Sequence, residues 1–124
     1  MIRRFETPLY PRIVWTAGPD DLKELIIRFS DRDDNIFTEN QFCSKNAVSL
    51  RVIEKSSDDL GVLIWYSGKE PLDAQTIAHE AAHCTIWLCA DLGIGVSEDD
   101  SEAFAYLCGY IAYCIDKGIV KKDG

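Results

Sequence analysis

Apolar residues change their spacing several times along the chain, and each change marks an element. Ile13-Val14-Trp15 is a short continuous run that predicts a strand. Gly18-Pro19-Asp20-Asp21 then marks a helix start, because proline suits the first helical turn and aspartates favour its positive end. Leu22, Leu25, Ile26 and Phe29 fall at helical spacing and predict an amphipathic helix over residues 20–30. Residues 30–35 are polar and charged and read as a loop, and residues 36–46 carry little pattern. Residues 48–54 largely alternate, residues 60–66 are nearly continuously apolar, and Lys55-Ser-Ser-Asp-Asp59 between them is turn-like. Together they predict a β-hairpin. A long helix is expected over residues 72–92, ended by Gly93 and Gly95. Ser97-Glu-Asp-Asp100 has the form of a capping box, from which a last helix runs through Phe104, Leu107, Ile111 and Ile115 to about residue 117. Strand, helix, hairpin, helix, helix is the order of an α+β domain with helices packed on a small, mostly antiparallel sheet.

Composition narrows the function. With 124 residues the chain supports one core, so residues 1–124 are expected to form a single domain. Lys and Arg number 13 against 21 Asp and Glu, a formal charge of -8, which makes a poor binder of phosphate backbones. No nucleic-acid partner is expected. No apolar run approaches the roughly 20 residues that span a bilayer, and Arg3 and Arg4 are not followed by an apolar stretch, so neither a membrane span nor a secretory signal is expected. Five cysteines without a C-x-x-C pair read as free thiols in a reducing compartment, and the expected location is the cytoplasm.

Candidate chemistry concentrates at one place. Residues 79–83 read His-Glu-Ala-Ala-His, and these are the two histidines of the chain. Four residues turn a helix by about 400°, so His79 and His83 project about 40° apart, one turn above the other. Two imidazoles so placed can bind one tetrahedral ion, with Glu80 beside them near enough to address a metal-bound water without being a ligand. Zinc lowers the pKa of such a water to near neutrality, and a carboxylate takes its proton. Scattering two histidines and eight glutamates at random would yield this pentad roughly once in a thousand such chains. Ile77, Ala78, Ala81, Ala82, Ile86 and Trp87 make the helix largely apolar, so it is expected to be buried and its histidines to need partners.

An open zinc site needs a third protein ligand. With no other histidine present, it must be a carboxylate or a thiolate. Glu102 is the foremost candidate, since Glu102, Ala105, Tyr106, Gly109 and Tyr113 share one helix face. The small Ala105 and Gly109 would let the two helices approach closely there. Glu98, Asp99 and Asp100 are alternatives, as are Cys84 and Cys108.

H-E-x-x-H on one helix, a turn through Gly93-Ile-Gly95 and E-x-x-A-Y on the next resembles the gluzincin branch of the zincin metallopeptidases. More narrowly, it is similar to the very short zincin-like proteins of phages and prophages. The motif-level resemblance covers about the last third of the chain. It implies a minimal zincin-like domain with a hairpin against an active-site helix, a glutamate-bearing C-terminal helix and an N-terminal helix. It further implies Zn2+ held by His79, His83 and Glu102, with Glu80 as general base and acid. A peptide or protein substrate would pair along an exposed edge strand within residues 60–66. Larger gluzincins add a C-terminal domain that supplies a further His or Tyr to the oxyanion. Here Tyr106, Tyr110 or Tyr113 could donate that hydrogen bond instead, with Tyr106 and Tyr113 as the oxyanion or outer-sphere candidates.

The favoured expectation is therefore a zinc-dependent peptidase of narrow specificity. Two alternatives stand beside it: a zinc-stabilised binding module that has lost turnover, and an ImmA/IrrE-like regulatory protease acting on a repressor. Trp15, Trp65 and Trp87 read as core anchors. The aspartates of residues 31–34 read as a solvated loop, since they lack the spacing and glycine of a calcium loop.

Overall fold

The computed structural model describes residues 1–8, 10–99 and 101–120. Five strands form one sheet: β1 (Arg3–Glu6), β2 (Ile13–Ala17), β3 (Phe29–Ser30), β4 (Ala47–Glu54) and β5 (Leu60–Tyr66), in the order β1-β2-β5-β4-β3. The helices are α1 (Leu22–Arg28), α2 (Ala74–Leu92) and α3 (Glu102–Ile115). The class is α+β, as the sequence predicts. The β4–β5 hairpin forms with Ser49 opposite Ile64 and Val52 opposite Gly61. Three of the four strand pairings are antiparallel, while β2 lies parallel to β5, so the sheet is mixed.

Alternation along the strands divides two cores across the sheet. Ile13, Trp15 and Ala17 of β2 and Leu63 and Trp65 of β5 meet Leu25, Phe29, Phe37 and Phe42 on one face. Val14, Val62 and Ile64 meet Ala81, Cys84, Leu88, Leu107, Ile111 and Ile115, from α2 and α3, on the other. The weakly patterned residues 36–46 thus supply two aromatics that close the first core. Phe42 meets Trp65 edge-to-face at 5.2 Å, and Trp15 meets Phe29 at 4.8 Å. Trp15 and Trp65 are core anchors, as expected; Trp87 is only half-buried.

Three expectations need correction. β5 is not an edge strand: it is bonded to β2 on one side and to β4 on the other. Its continuous apolar run is what a strand covered on both faces carries. α3 begins at Glu102 rather than Ser97, and residues 97–99 form a bend without the expected capping box; Asp100 lies outside the described residues. The helix expected over residues 20–30 ends at Arg28, and Phe29 and Ser30 instead form β3, which with the unexpected β1 makes the two sheet edges. No helix among the described residues is long and apolar enough to cross a membrane.

Gly61 is required where β2 and β5 run side by side, because a Cβ there would run into the Ile13 main chain and its carbonyl oxygen. Backbone cannot yield as a flexible side chain would. Gly61→Ala is expected to lower stability by about 1–3 kcal/mol, read as a lower denaturant midpoint at unchanged slope. An unchanged midpoint would mean that the two strands do not approach this closely.

Candidate metal centre

α2 starts at a true cap, with the Asp73 side chain accepting from the Thr76 N–H at 2.8 Å, and ends at Gly93 in the left-handed region (φ 69°). Ala81, Cys84, Thr85, Leu88 and Cys89 face inward. His79 and His83 instead lie exposed. Ala78 and Ile86 are exposed as well, so burial does not force partners on the histidines. The helix buries one stripe against the sheet and α3, and the apolar residues outside that stripe remain in solvent.

The two imidazoles nevertheless converge. Their Nε2 atoms lie 3.2 Å apart, with ring centroids at 4.7 Å and planes at 76°. Two nitrogens each about 2.0–2.1 Å from one tetrahedral zinc would stand about 3.3–3.4 Å apart. The pair therefore fits two positions of such an ion. Trp87, one further turn along, stacks on His83 with centroids at 6.0 Å.

Glu80, between the two histidines in the chain, is buried at 9% exposure. Its Oε1 accepts a hydrogen bond from the Ser49 hydroxyl at 2.6 Å, while Oε2 stands 3.9 Å from His79 Nε2. One carboxylate oxygen is held by the sheet and the other looks toward the histidine pair. Ser49 is the site residue that sequence reasoning missed. Its signal was present: Ala47, Ser49 and Arg51 are the small or polar positions alternating with Val48, Leu50 and Val52. A cavity of about 230 Å³ lies here, lined by Lys45, Ser49, His79, Glu80, His83 and Trp87 among others.

β4, not β5, borders this cavity. Only Ile53 and Glu54 of β4 pair with β3, so residues 47–52 have no strand on their outer flank. An open sheet flank therefore does lie beside the motif, though on the other strand of the hairpin.

Glu102 is not brought to the histidines. It opens α3 in an exposed position and lines a separate hollow with Ile94, Gly95, Asp99 and Ala103. Among the described residues, no three His, Cys, Asp or Glu side chains gather as metal ligands. The cause is the orientation of α3. It buries Leu107, Ile111, Cys114 and Ile115, which leaves Glu102, Ala105, Tyr106, Gly109 and Tyr113 together on the exposed side. They share a face, as the spacing predicts, but that face looks to solvent. A Cβ at Gly109 would meet nothing within 4 Å, so its smallness serves no close helix approach. The residues present thus fit zinc at two ligands, and the carboxylate that would complete the set stands apart.

The remaining candidates are placed as follows. Tyr106 and Tyr113 are exposed and do not line the histidine cavity; Tyr113 stacks on Tyr110, whose hydroxyl donates to the Glu6 carbonyl at 2.5 Å. Glu98 is exposed, Asp99 accompanies Glu102, and Asp100 lies outside the described residues. Cys84 is fully buried, and burial pushes its thiol up to about 12, which disfavours the thiolate a metal needs. Cys108 is half-buried, and all five cysteines are free. Thiol titration of unfolded, unreduced protein should accordingly find five reactive groups; three or one would reveal bridges.

No protein-family model matches the chain, and neither a curated protein nor a solved structure is similar enough to count as a match.

Proposed function

We propose that this chain is a zinc-dependent peptidase of the zincin-like, gluzincin type. The convergence of His79 and His83, with Nε2 atoms 3.2 Å apart beside a carboxylate anchored by Ser49, carries the reading. His79 and His83 would hold the ion, with Glu102 as the proposed third ligand, which requires the first turn of α3 to swing toward the pair. Zinc, when bound, supplies an activated water and polarises the scissile carbonyl. Glu80 does the proton work. Its Oε2 takes the proton of the attacking water and passes it to the leaving amine, while the Ser49 hydroxyl keeps Oε1 fixed. An extended peptide lies along the open flank of β4, residues 47–52, where unpaired main-chain groups can extend the sheet by one strand.

The distance of Glu102 from the histidines favours one further reading, a zinc-stabilised binding module that has lost turnover. Metal content of the purified protein by mass spectrometry, combined with cleavage of a diverse peptide library, separates them. One zinc per chain with cleavage supports the peptidase. One zinc without any cleavage supports the binding module, and protein that takes up no zinc removes both.

A further inference from the structure

Asp91, near the C-terminal end of α2, has a side chain only 3% exposed, and three arginines from three different segments converge on it. Arg32, in the loop after β3, donates from Nη1 to Oδ2 at 2.6 Å. Arg51 of β4 donates from Nη2 to Oδ1, and Arg12, just before β2, holds its Nε 3.8 Å from Oδ2. Burial pushes the Asp91 carboxyl up, but the hydrogen bonds from Arg51 and Arg32 outweigh it and hold the group below its ordinary range. Asp91 is therefore charged at neutral pH, and it balances one of three guanidinium charges, leaving +2.

Among the described residues, no second carboxylate pairs with any of the three. The nearby Asp31 is occupied by its own turn, accepting from the Asp33 and Asn35 backbone N–H groups. Two donors of the cluster, Arg12 Nε and Arg51 Nε, are buried without any acceptor. Buried donors are ordinarily satisfied, and leaving one without a partner is costly. In a chain of net charge -8, an excess of two positive charges on partly exposed arginine side chains is a place where an anion can be held.

Its position indicates which anion. Ser49 touches Glu80 and Arg51 touches Asp91, so β4 and α2 run in the same direction away from the candidate metal centre. Asp91 lies eight residues beyond His83, about 12 Å along the helix axis. An extended chain covers that span in three to four residues at about 3.3 Å each. We propose that Arg32 and Arg51, with Arg12 behind them across β5, form a carboxylate-recognition subsite at the end of the β4 flank, selecting peptides with a negative charge three to four residues from the position of His83. This rests on the peptidase reading for the identity of the ligand as a peptide. The carboxylate can come from an Asp or Glu side chain or from a free C-terminus. Either is matched by the planar forks of Arg, which lysine does not reproduce.

The test reads binding without cleavage. Wild-type protein held metal-free with chelator is titrated by fluorescence anisotropy against end-capped, labelled decapeptide pools carrying Glu or Gln at one fixed position. A third pool carries Gln and an uncapped C-terminus. The Glu pool or the uncapped pool is expected to bind about tenfold more tightly than the capped Gln pool, and which of the two does so names the source. Arg32→Gln, in a loop, and Arg51→Lys, which keeps the charge and loses the fork, should each reduce that preference to about twofold or less. Lys23→Gln, the same charge change on α1 across the sheet, should leave it intact. No preference in the wild type, or a preference that survives both arginine changes, overturns the subsite. An arginine-dependent preference in a protein that cleaves nothing once zinc is restored would instead sink the peptidase reading and leave the subsite standing.

Discussion

Replacing Glu80 with Gln should cut peptide hydrolysis by about 10²-fold or more while folding and zinc content stay at wild-type levels. Gln keeps the length of the side chain and can still accept from the Ser49 hydroxyl, so the anchor between α2 and β4 is retained. What disappears is the basic oxygen, the Oε2 that stands 3.9 Å from His79 Nε2. Among the described residues, no other carboxylate lines the cavity that both histidines share, while Glu70 lines an adjoining hollow with His79 and Glu80. The comparison needs three readouts on the same preparations: metal by mass spectrometry, a melting curve, and the initial rate on a cleaved library peptide. A variant as fast as wild type would remove Glu80 from the mechanism. Equal binding of a partner by both proteins, with hydrolysis by neither, is the outcome that the binding-module reading expects.

Removal of either imidazole should have the second large effect. His83→Ala and His79→Ala each take away one of the two nitrogens that converge to 3.2 Å, and the loss of zinc affinity should exceed the roughly 10–100-fold that outer-sphere changes cost. Both residues are exposed, so their replacement opens no cavity in the core and the fold should persist. Glu102→Ala measured alongside decides the third ligand. If the first turn of α3 swings toward the pair when zinc binds, Glu102→Ala weakens retention strongly and Glu98→Ala does not. If Glu98→Ala strips the metal and Glu102→Ala spares it, Glu102 is not the ligand. Retention unaffected by either change would leave the histidines with a water-completed, weak site. Dialysis against a graded series of chelators reads all four variants on one scale.

Much of this site follows from short-range rules. A four-residue spacing on a helix brings the His79 and His83 Nε2 atoms together wherever that helix sits, and the helix itself is bounded by a local cap at Asp73 and a glycine at 93. The hairpin was equally legible, because its turn and its two apolar patterns are contiguous. The face shared by Glu102, Tyr106 and Tyr113 was legible too, but not its direction. Periodicity says which residues lie together and leaves open which stripe the neighbours cover; in α3 the Leu107–Ile111–Cys114–Ile115 stripe is the more apolar and takes the interior.

What the sequence by itself determined is thus the motif, its helix, the hairpin and the α+β class, since each is specified within some twenty residues by spacing, capping and turn chemistry. Only the tertiary structure decided that β5 is central and that β4 carries the open flank. That order depends on a parallel pairing of β2 with β5, whose partners lie about fifty residues apart. The same holds for Ser49 against Glu80 and for Arg12, Arg32 and Arg51 around Asp91. Contacts between segments so distant are set by how two layers of helices cover one sheet, and no local pattern in the chain encodes them.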